Sequence, residues 1–384
     1  MKVLHVSPSF YPSRAYGGTI RSGYGLCRSL AGLGCDVRVL TTDTDGLGHV
    51  LDMASDRELQ VDDLRIRYCH KNFRHSVSPA LLSFLPSYIK WADVVHLTAV
   101  YSFPTFPTLF LCRLFNKPVV WSPRGALQRW EGSSRTSYKW VWESICRRLA
   151  AKNNLVLHVT SQDEAEQSLS RFPDLRAVVI RNGVDVPHNL RRSVSNGELR
   201  LLYLGRLHPI KGIELLLEAC GIIKSLSLEW HLSIAGTGSP LYIDFLRSKV
   251  EELGLSKQVE FVGEVFEENK DALFAQSDVA LVPSYVENFG IVVAESLAHA
   301  VPVIASKGTP WMGLETNKCG LWVDNNPESL ATAIRKICTL PLPELGLRGK
   351  EWMERDFSWD KVSGEMLTLY RECSRSYTSY DHIA

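Results

Sequence analysis

The nine cysteines of this 384-residue chain never fall into a C-x-x-C pair. That spacing argues against a structural zinc site or a disulfide framework and fits a reducing compartment. No H-E-x-x-H pattern occurs among the eleven histidines, so no metal site is expected. The phosphate-binding fingerprints G-x-x-x-x-G-K-[ST] and G-x-G-x-x-G are missing too, which leaves nicotinamide or flavin binding poorly supported. Net charge is only +1, from 43 basic and 42 acidic side chains, so bulk electrostatics do not suggest a nucleic-acid binder. Long apolar runs are scarce. Pro8 and Pro12 interrupt the opening MKVLHVSPSFYP, so no signal peptide is expected there. The longest uncharged run, Val94–Cys112, contains Pro104, Pro107 and His96 and reads as a buried strand, loop and short helix.

What is abundant is alternation. Short Val/Ile/Leu-rich runs recur from end to end: Val3–Val6, Val37–Leu40, Val94–Leu97, Pro118–Trp121, Leu155–Val159 and Ala177–Ile180 in the first half. Leu201–Leu204, His231–Ala235, Val259–Val262, Asp278–Val282 and Pro302–Ala305 follow in the second. Unbroken apolar strands imply burial on both faces, hence parallel sheets covered by helices. The expected fold is α/β, with two doubly wound Rossmann-like domains over 1–182 and 183–358. The turn-rich stretch Asn182–Glu198 has no hydrophobic period and suits the junction.

The balanced charge hides an asymmetry. Residues 1–182 carry 23 Lys/Arg against 15 Asp/Glu, and the remainder carries the compensating acidic excess. The basic excess is densest between Arg113 and Lys152, where Trp130, Trp140 and Trp142 lie among the cations. Basic residues interleaved with tryptophan suit an anionic membrane surface. The alternative is a solvated helix whose tryptophans pack on the core.

Ligands of open α/β sheets bind at the carboxyl ends of strands, so the residues after each run are informative. Gly17–Gly18 precede a helix and could admit an anion to backbone amides, or form a plain turn. Arg206 follows the strand LRLLYLG, and Lys211 stands where the next helix opens; two cations beside a helix start suit a diphosphate. Gly236 and the FVGEV segment ending at Val265 are further strand-then-glycine turns. The strongest element is Glu287-Asn288-Phe289-Gly290-Ile291-Val292-Val293-Ala294-Glu295. Its two carboxylates suit polyol hydroxyls, and the amides of Phe289, Gly290 and Ile291 would point at the same ligand. Two solvated glutamates on a helix are the alternative. Asp43-Thr44-Asp45 has the spacing of a metal-binding pair, but it falls where a loop is due.

Together, SPSFYPSRAYGGTIRS, VTSQDEAE, VIRNGVD, GRLHPIKGIELLL, SIAGTG, FVGEV and the Glu287/Glu295 pair resemble the retaining family 4 glycosyltransferases of the GT-B fold. The closing FSWDKVSGEMLTLY resembles the family's last helix, which implies that 359–384 packs back on the first domain. The resemblance implies a central cleft between two facing domains. It implies Arg206 and Lys211 on the donor diphosphate, helped by amides at Gly17–Gly18 and at Phe289–Ile291. Glu295 would take the ribose, Glu287 the donor sugar, and FVGEV the base.

The implied substrates are a UDP- or GDP-sugar and a glycan or lipid-linked acceptor, with no cofactor and no metal. The expected setting is cytoplasmic, either free or, if the basic segment Arg113–Lys152 docks, peripheral to the inner face of a membrane. Two departures stand out. Ser122-Pro123-Arg124-Gly125 lacks the histidine many relatives carry, which leaves Arg124 and His96 as acceptor-side candidates. Thr309-Pro310-Trp311 stands where many relatives are acidic. The rival readings are a nucleotide-sugar epimerase or phosphorylase on a similar scaffold, and a non-catalytic sugar-binding protein.

Overall fold

A computed structural model describes residues 1–378 except 14–16, 47, 54, 74–75, 129–135, 152–153, 190–192, 194–196, 225–228 and 266. The chain divides into two compact units, Met1–Gly183 with Trp359–Ala384, and Val184–Ser358.

In the first unit the strands are β1 (Lys2–Val6), β2 (Asp36–Thr42), β3 (Glu58–Val61), β4 (Leu64–Cys69), β5 (Val94–Thr98), β6 (Val119–Ser122), β7 (Leu155–Val159) and β8 (Arg176–Val179). They form one sheet in the order β3-β4-β2-β1-β5-β6-β7-β8, parallel except for β3 against β4. Its helices are α1 (Gly18–Gly32), α2 (Pro79–Trp91), α3 (Thr105–Leu114), α4 (Thr136–Ala150) and α5 (Gln162–Arg171), and later α13 (Trp359–Thr378). One core gathers Leu81 and Leu85 of α2, Leu109 of α3 and Cys146 of α4 against Val95, Leu97 and Trp121 of the sheet. A second joins Leu26 and Leu30 of α1 to Val362, Met366 and Tyr370 of α13. Trp359 packs where a Cβ on Gly25 or Gly183 would stand 2.2 or 2.3 Å from its ring, so both positions must stay bare.

The second unit has β9 (Leu199–Leu204), β10 (Trp230–Ala235), β11 (Val259–Gly263), β12 (Val279–Val282), β13 (Val303–Ser306) and β14 (Gly320–Val323). Their order β11-β10-β9-β12-β13-β14, all parallel, is the doubly wound pattern whose direction reverses between β9 and β12. The helices are α6 (Ile213–Ile223), α7 (Pro240–Glu252), α8 (Glu267–Ala275), α9 (Ile291–Ala298), α10 (Gly313–Thr316), α11 (Pro327–Ile337) and α12 (Leu342–Asp356). Ile213, Leu216 and Leu217 of α6 meet Leu330 and Ile334 of α11 on one face. Val293 and Leu297 of α9 and Trp352 of α12 fill the other.

Candidate active site

The reversal point of the second sheet is where the sequence-selected polar residues meet. After β9, the Tyr203 hydroxyl donates to the Arg206 carbonyl at 3.0 Å, and the Arg206 side chain is exposed. His208 accepts the Ile210 amide at 3.2 Å on Nδ1 and starts a short 3-10 turn, Pro209–Lys211. Gly212 then takes φ 63, and a Cβ there would lie 2.1 Å from the Pro283 carbonyl oxygen. Only glycine permits both the left-handed backbone and that approach. The loop after β12 is thereby pressed against the loop after β9, and the Tyr285 amide donates to the Ile210 carbonyl at 2.9 Å.

This contact sets the chemistry. The Lys211 ammonium pairs with Glu287 Oε1, and Ser284 Oγ donates to the same oxygen at 2.9 Å. Both charged side chains are largely buried, with 20% and 15% of their surface exposed, so neither is a free surface charge. The Glu287 amide donates to the Gly308 carbonyl at 2.8 Å, which fixes the loop from the β13 side. Burial, then the Arg206 and Lys211 charges, push the His208 pKa below its ordinary value. A positive field at this corner is the second of those causes.

The helix after the loop opens as expected. Gly290 is the N-cap of α9 at φ 74, and no side chain caps the first turn. Amides at such a start can receive an anion. Phe289 itself is buried, and its carbonyl accepts the Trp311 indole N–H. Trp311 sits 5.3 Å from both Phe289 and Phe357, ring centre to ring centre. Trp311 therefore braces the loop from the core and is 2% exposed.

Glu295 lies a turn into α9 and pairs with Lys270 of α8 at 2.6 Å. Sequence reasoning did not select Lys270, nor Ser284. Gly236 follows β10, its amide donating to the Gly263 carbonyl at 2.7 Å, and Val265 lies half-buried beyond β11.

The candidates of the first unit are placed differently. Gly17 is the N-cap of α1 at φ 51, with no side-chain cap. Asp43 is buried and accepts from the Lys71 amide at 2.8 Å and Ser55 Oγ at 3.0 Å, while Asp45 accepts from Ser13 at 2.9 Å. The pair closes loops. No cluster of three or more His, Cys, Asp or Glu that could hold a metal occurs among the described residues.

His96 needs correction as an acceptor-side candidate: it is fully buried and both ring nitrogens are engaged. His158 Nε2 faces the Ile180 carbonyl at 2.9 Å, so that nitrogen carries the proton and Nδ1 accepts. Ser122 must then donate to His158 Nδ1, at 2.6 Å, and accept from His96 Nε2, at 2.7 Å. His96 Nδ1 is left to accept from the Tyr370 hydroxyl of α13. One directed chain of hydrogen bonds thus crosses β5, β6 and β7 and holds α13, with every imidazole neutral. Burial, then Arg124, lowers His158 from its ordinary 6.5 to about 3, and the same causes lower His5 to about 3. Arg124, at φ 54 after β6, donates to Asn182 Oδ1, and its buried Nε has no partner among the described residues.

Residues 189–349 match the model of glycosyl transferases group 1, and residues 17–183 match that of the glycosyl transferase 4-like domain. The chain belongs to this glycosyltransferase family, with the GT-B architecture. An uncharacterized glycosyltransferase of Methanocaldococcus jannaschii is 31% identical over 228 residues, 53% of this chain and 56% of that protein. A D-inositol 3-phosphate glycosyltransferase of Rhodococcus erythropolis is 28% identical over 60% of this chain and 56% of its own length. The chain thus spans a little over half the length of these curated relatives. The sucrose-phosphate synthase structure from Thermosynechococcus elongatus superimposes with a TM-score of 0.77 at 22% identity, covering 98% of this chain and 100% of that one. Anabaena HepE in complex with UDP gives 0.74 at 18% identity, over 97% and 100%. These two likenesses concern the fold.

Proposed function

We propose that this glycosyltransferase is a retaining enzyme that moves a hexosyl or acetylhexosaminyl group from a UDP- or GDP-sugar to an acceptor hydroxyl in surface polysaccharide or glycolipid assembly. The observation that carries the reading is the corner where Gly212 presses two loops together and sets Lys211, Glu287 and exposed Arg206 at the reversal point of the second sheet. Arg206 and Lys211 bind the diphosphate and neutralise the charge that grows as it leaves. The first-turn amides of α9 add their dipole.

Glu287 binds a donor-sugar hydroxyl, and its bonds to Lys211 and Ser284 keep it aimed without making it a nucleophile. Substitution on one face then lets the leaving phosphate take the acceptor proton, so alignment and electrostatics carry the rate. Glu295 takes the ribose by sharing its carboxylate between Lys270 and a hydroxyl. With His96 removed to the core, Arg124 and its unpartnered Nε are the acceptor-side candidate. The cations need no metal to assist them.

The test is a thermal-shift panel with UDP, GDP, CDP, dTDP and ADP, followed by transfer assays with and without EDTA. A cognate nucleotide at a hundredfold excess over its Kd adds about 2.7 kcal/mol of stability. Arg206→Ala and Lys211→Ala should each weaken that nucleotide about ten- to a hundredfold. Melting of the free protein should change little for exposed Arg206→Ala and fall for Lys211→Ala, which leaves largely buried Glu287 without its cation. Unchanged affinity in both variants, or activity lost to EDTA and restored by manganese, overturns the assignment.

A further inference from the structure

We propose that the outer face of α3 and α4 is a docking surface for an anionic lipid bilayer. The inference does not rest on the transfer reaction. It begins from a sorting of side chains on α4. Glu143, Cys146 and Ala150 share one face and are buried, while Trp142 lays its ring 3.9 Å from Phe106 and donates its N–H to the Val100 carbonyl at 2.7 Å. Trp142 is therefore a packing residue.

The opposite face presents Trp140, Val141 and Ile145 at 66%, 50% and 40% exposure. Arg148 continues that stripe at helical spacing. On α3, Phe110 and Leu114 stand four residues apart at 53% and 62% exposure. The Arg113 guanidinium donates to the Arg148 carbonyl at 2.9 Å, so the two stripes end side by side. A monomeric protein rarely leaves so many large apolar groups together in water without a partner.

Charge identifies the partner. α2, α3 and α4 together hold one carboxylate, Glu143, and it is buried with its oxygen on the Tyr101 hydroxyl. Arg113, Arg147 and Arg148 are exposed around the apolar stripes, and no described carboxylate pairs with them. Arg147 donates to the Arg171 carbonyl, a neutral acceptor. A second copy of this chain would bring the same cations face to face, which like-charge repulsion disfavours.

An anionic headgroup layer satisfies the arginines, while indole and aliphatic groups enter the acyl boundary. No helix among the described residues is long and apolar enough to cross a membrane, so this is contact from one side. Arg129, Trp130, Arg135 and Lys152 of the same basic segment lie outside the described residues.

The experiment is flotation of the full chain with vesicles of phosphatidylcholine alone or mixed with phosphatidylglycerol, at low and high salt. Binding should require phosphatidylglycerol and weaken with salt. Arg147→Gln with Arg148→Gln should lower the partition coefficient about thirtyfold, as expected for two cations near the surface. Trp140→Ala with Ile145→Ser should lower it about tenfold at unchanged salt dependence. All four side chains are exposed, and an unchanged melting temperature will show that the fold is kept. Should either pair shift it, Phe110→Ser with Leu114→Ser repeats the test on α3.

No flotation with phosphatidylglycerol at low salt, or equal flotation with phosphatidylcholine alone, overturns the proposal. Self-association that the Trp140 variant abolishes, without vesicle binding, would assign the face to a second copy. A nucleotide-induced thermal shift in the same samples reports on the catalytic reading separately.

Discussion

Both units bury a parallel sheet, but they put their polar groups in different places. In the first, His5, His96, Ser122 and His158 lie within the strands and are sealed from water. In the second, the buried strand positions are apolar except for Ser306 and the Tyr203 hydroxyl, and the other polar strand residues Arg200, His231, Ser233 and Glu260 reach solvent. There Arg206, Lys211, Ser284 and Glu287 wait at the carboxyl tips. A polar group inside a sheet must be satisfied by protein and so serves the architecture. At a strand tip the same group can exchange its protein partner for a ligand. The difference separates a scaffold network from a binding site without reference to residue type, and histidine shows the hazard of judging by type alone.

Acid should expose the contrast most strongly. His5 and His158 stay neutral in the fold down to about pH 3, yet the unfolded chain protonates them near 6.5. Their contribution is full above 6.5 and is lost as the pH falls toward 3, because only the unfolded state gains protons in that window. Each gives a slope of about 1.4 kcal/mol per pH unit, so together they remove about 4 kcal/mol by about pH 5. Hydrogen exchange at falling pH should show β1, β5 and β7 opening before β9 and β12. Simultaneous opening would break the comparison.

Gly212→Ala should act next, and in the other unit. Left-handed strain and overlap with the Pro283 carbonyl should cost about 3 kcal/mol. Denaturant melts should show this loss together with weakened nucleotide binding, since the substitution separates Lys211 from Glu287. Retained nucleotide affinity would show that the two loops are not a single site.

The smallest effect should come from Ser122→Ala. It leaves His96 Nε2 and His158 Nδ1 without their shared partner, at a cost of about 2 kcal/mol. Chemical denaturation should register the loss while the nucleotide-induced shift is unchanged. A drop in nucleotide affinity would bring the buried network into the site after all.

Much of this was legible in the sequence because aliphatic strands announce themselves. Every unbroken apolar run is a strand, from Lys2–Val6 to Val303–Ser306. β4 escaped because Leu64-Arg65-Ile66-Arg67 alternates, with Leu64 and Ile66 buried and the arginines half-exposed. β3 is the short antiparallel edge that pairs with it. Lys211 and Glu287 could be paired from the strand order alone, since β9 and β12 are neighbours. Lys270 could not, because α8 reaches Glu295 through tertiary packing that no spacing encodes. The misplacement of His96 was avoidable. A histidine inside Val94-Val95-His96-Leu97, like those in Leu4-His5-Val6 and Leu157-His158-Val159, sits within a strand buried on both faces, where it must find protein partners.

The position of Trp359 has a consequence for how the chain is made. Its ring lies against Gly183, so the backbone leaves the first unit and re-enters it at one spot, with all of Val184–Ser358 threaded between. On a ribosome, the first 183 residues emerge without Val362, Met366 and Tyr370, the α13 side chains that complete their second core. His96 then has a ring nitrogen with no hydroxyl to accept from. The inserted unit, whose core is contiguous in the chain, can be finished while the earlier one waits half-built for α13 to appear. The last helix of the sequence thus closes the core of the unit whose strands come first.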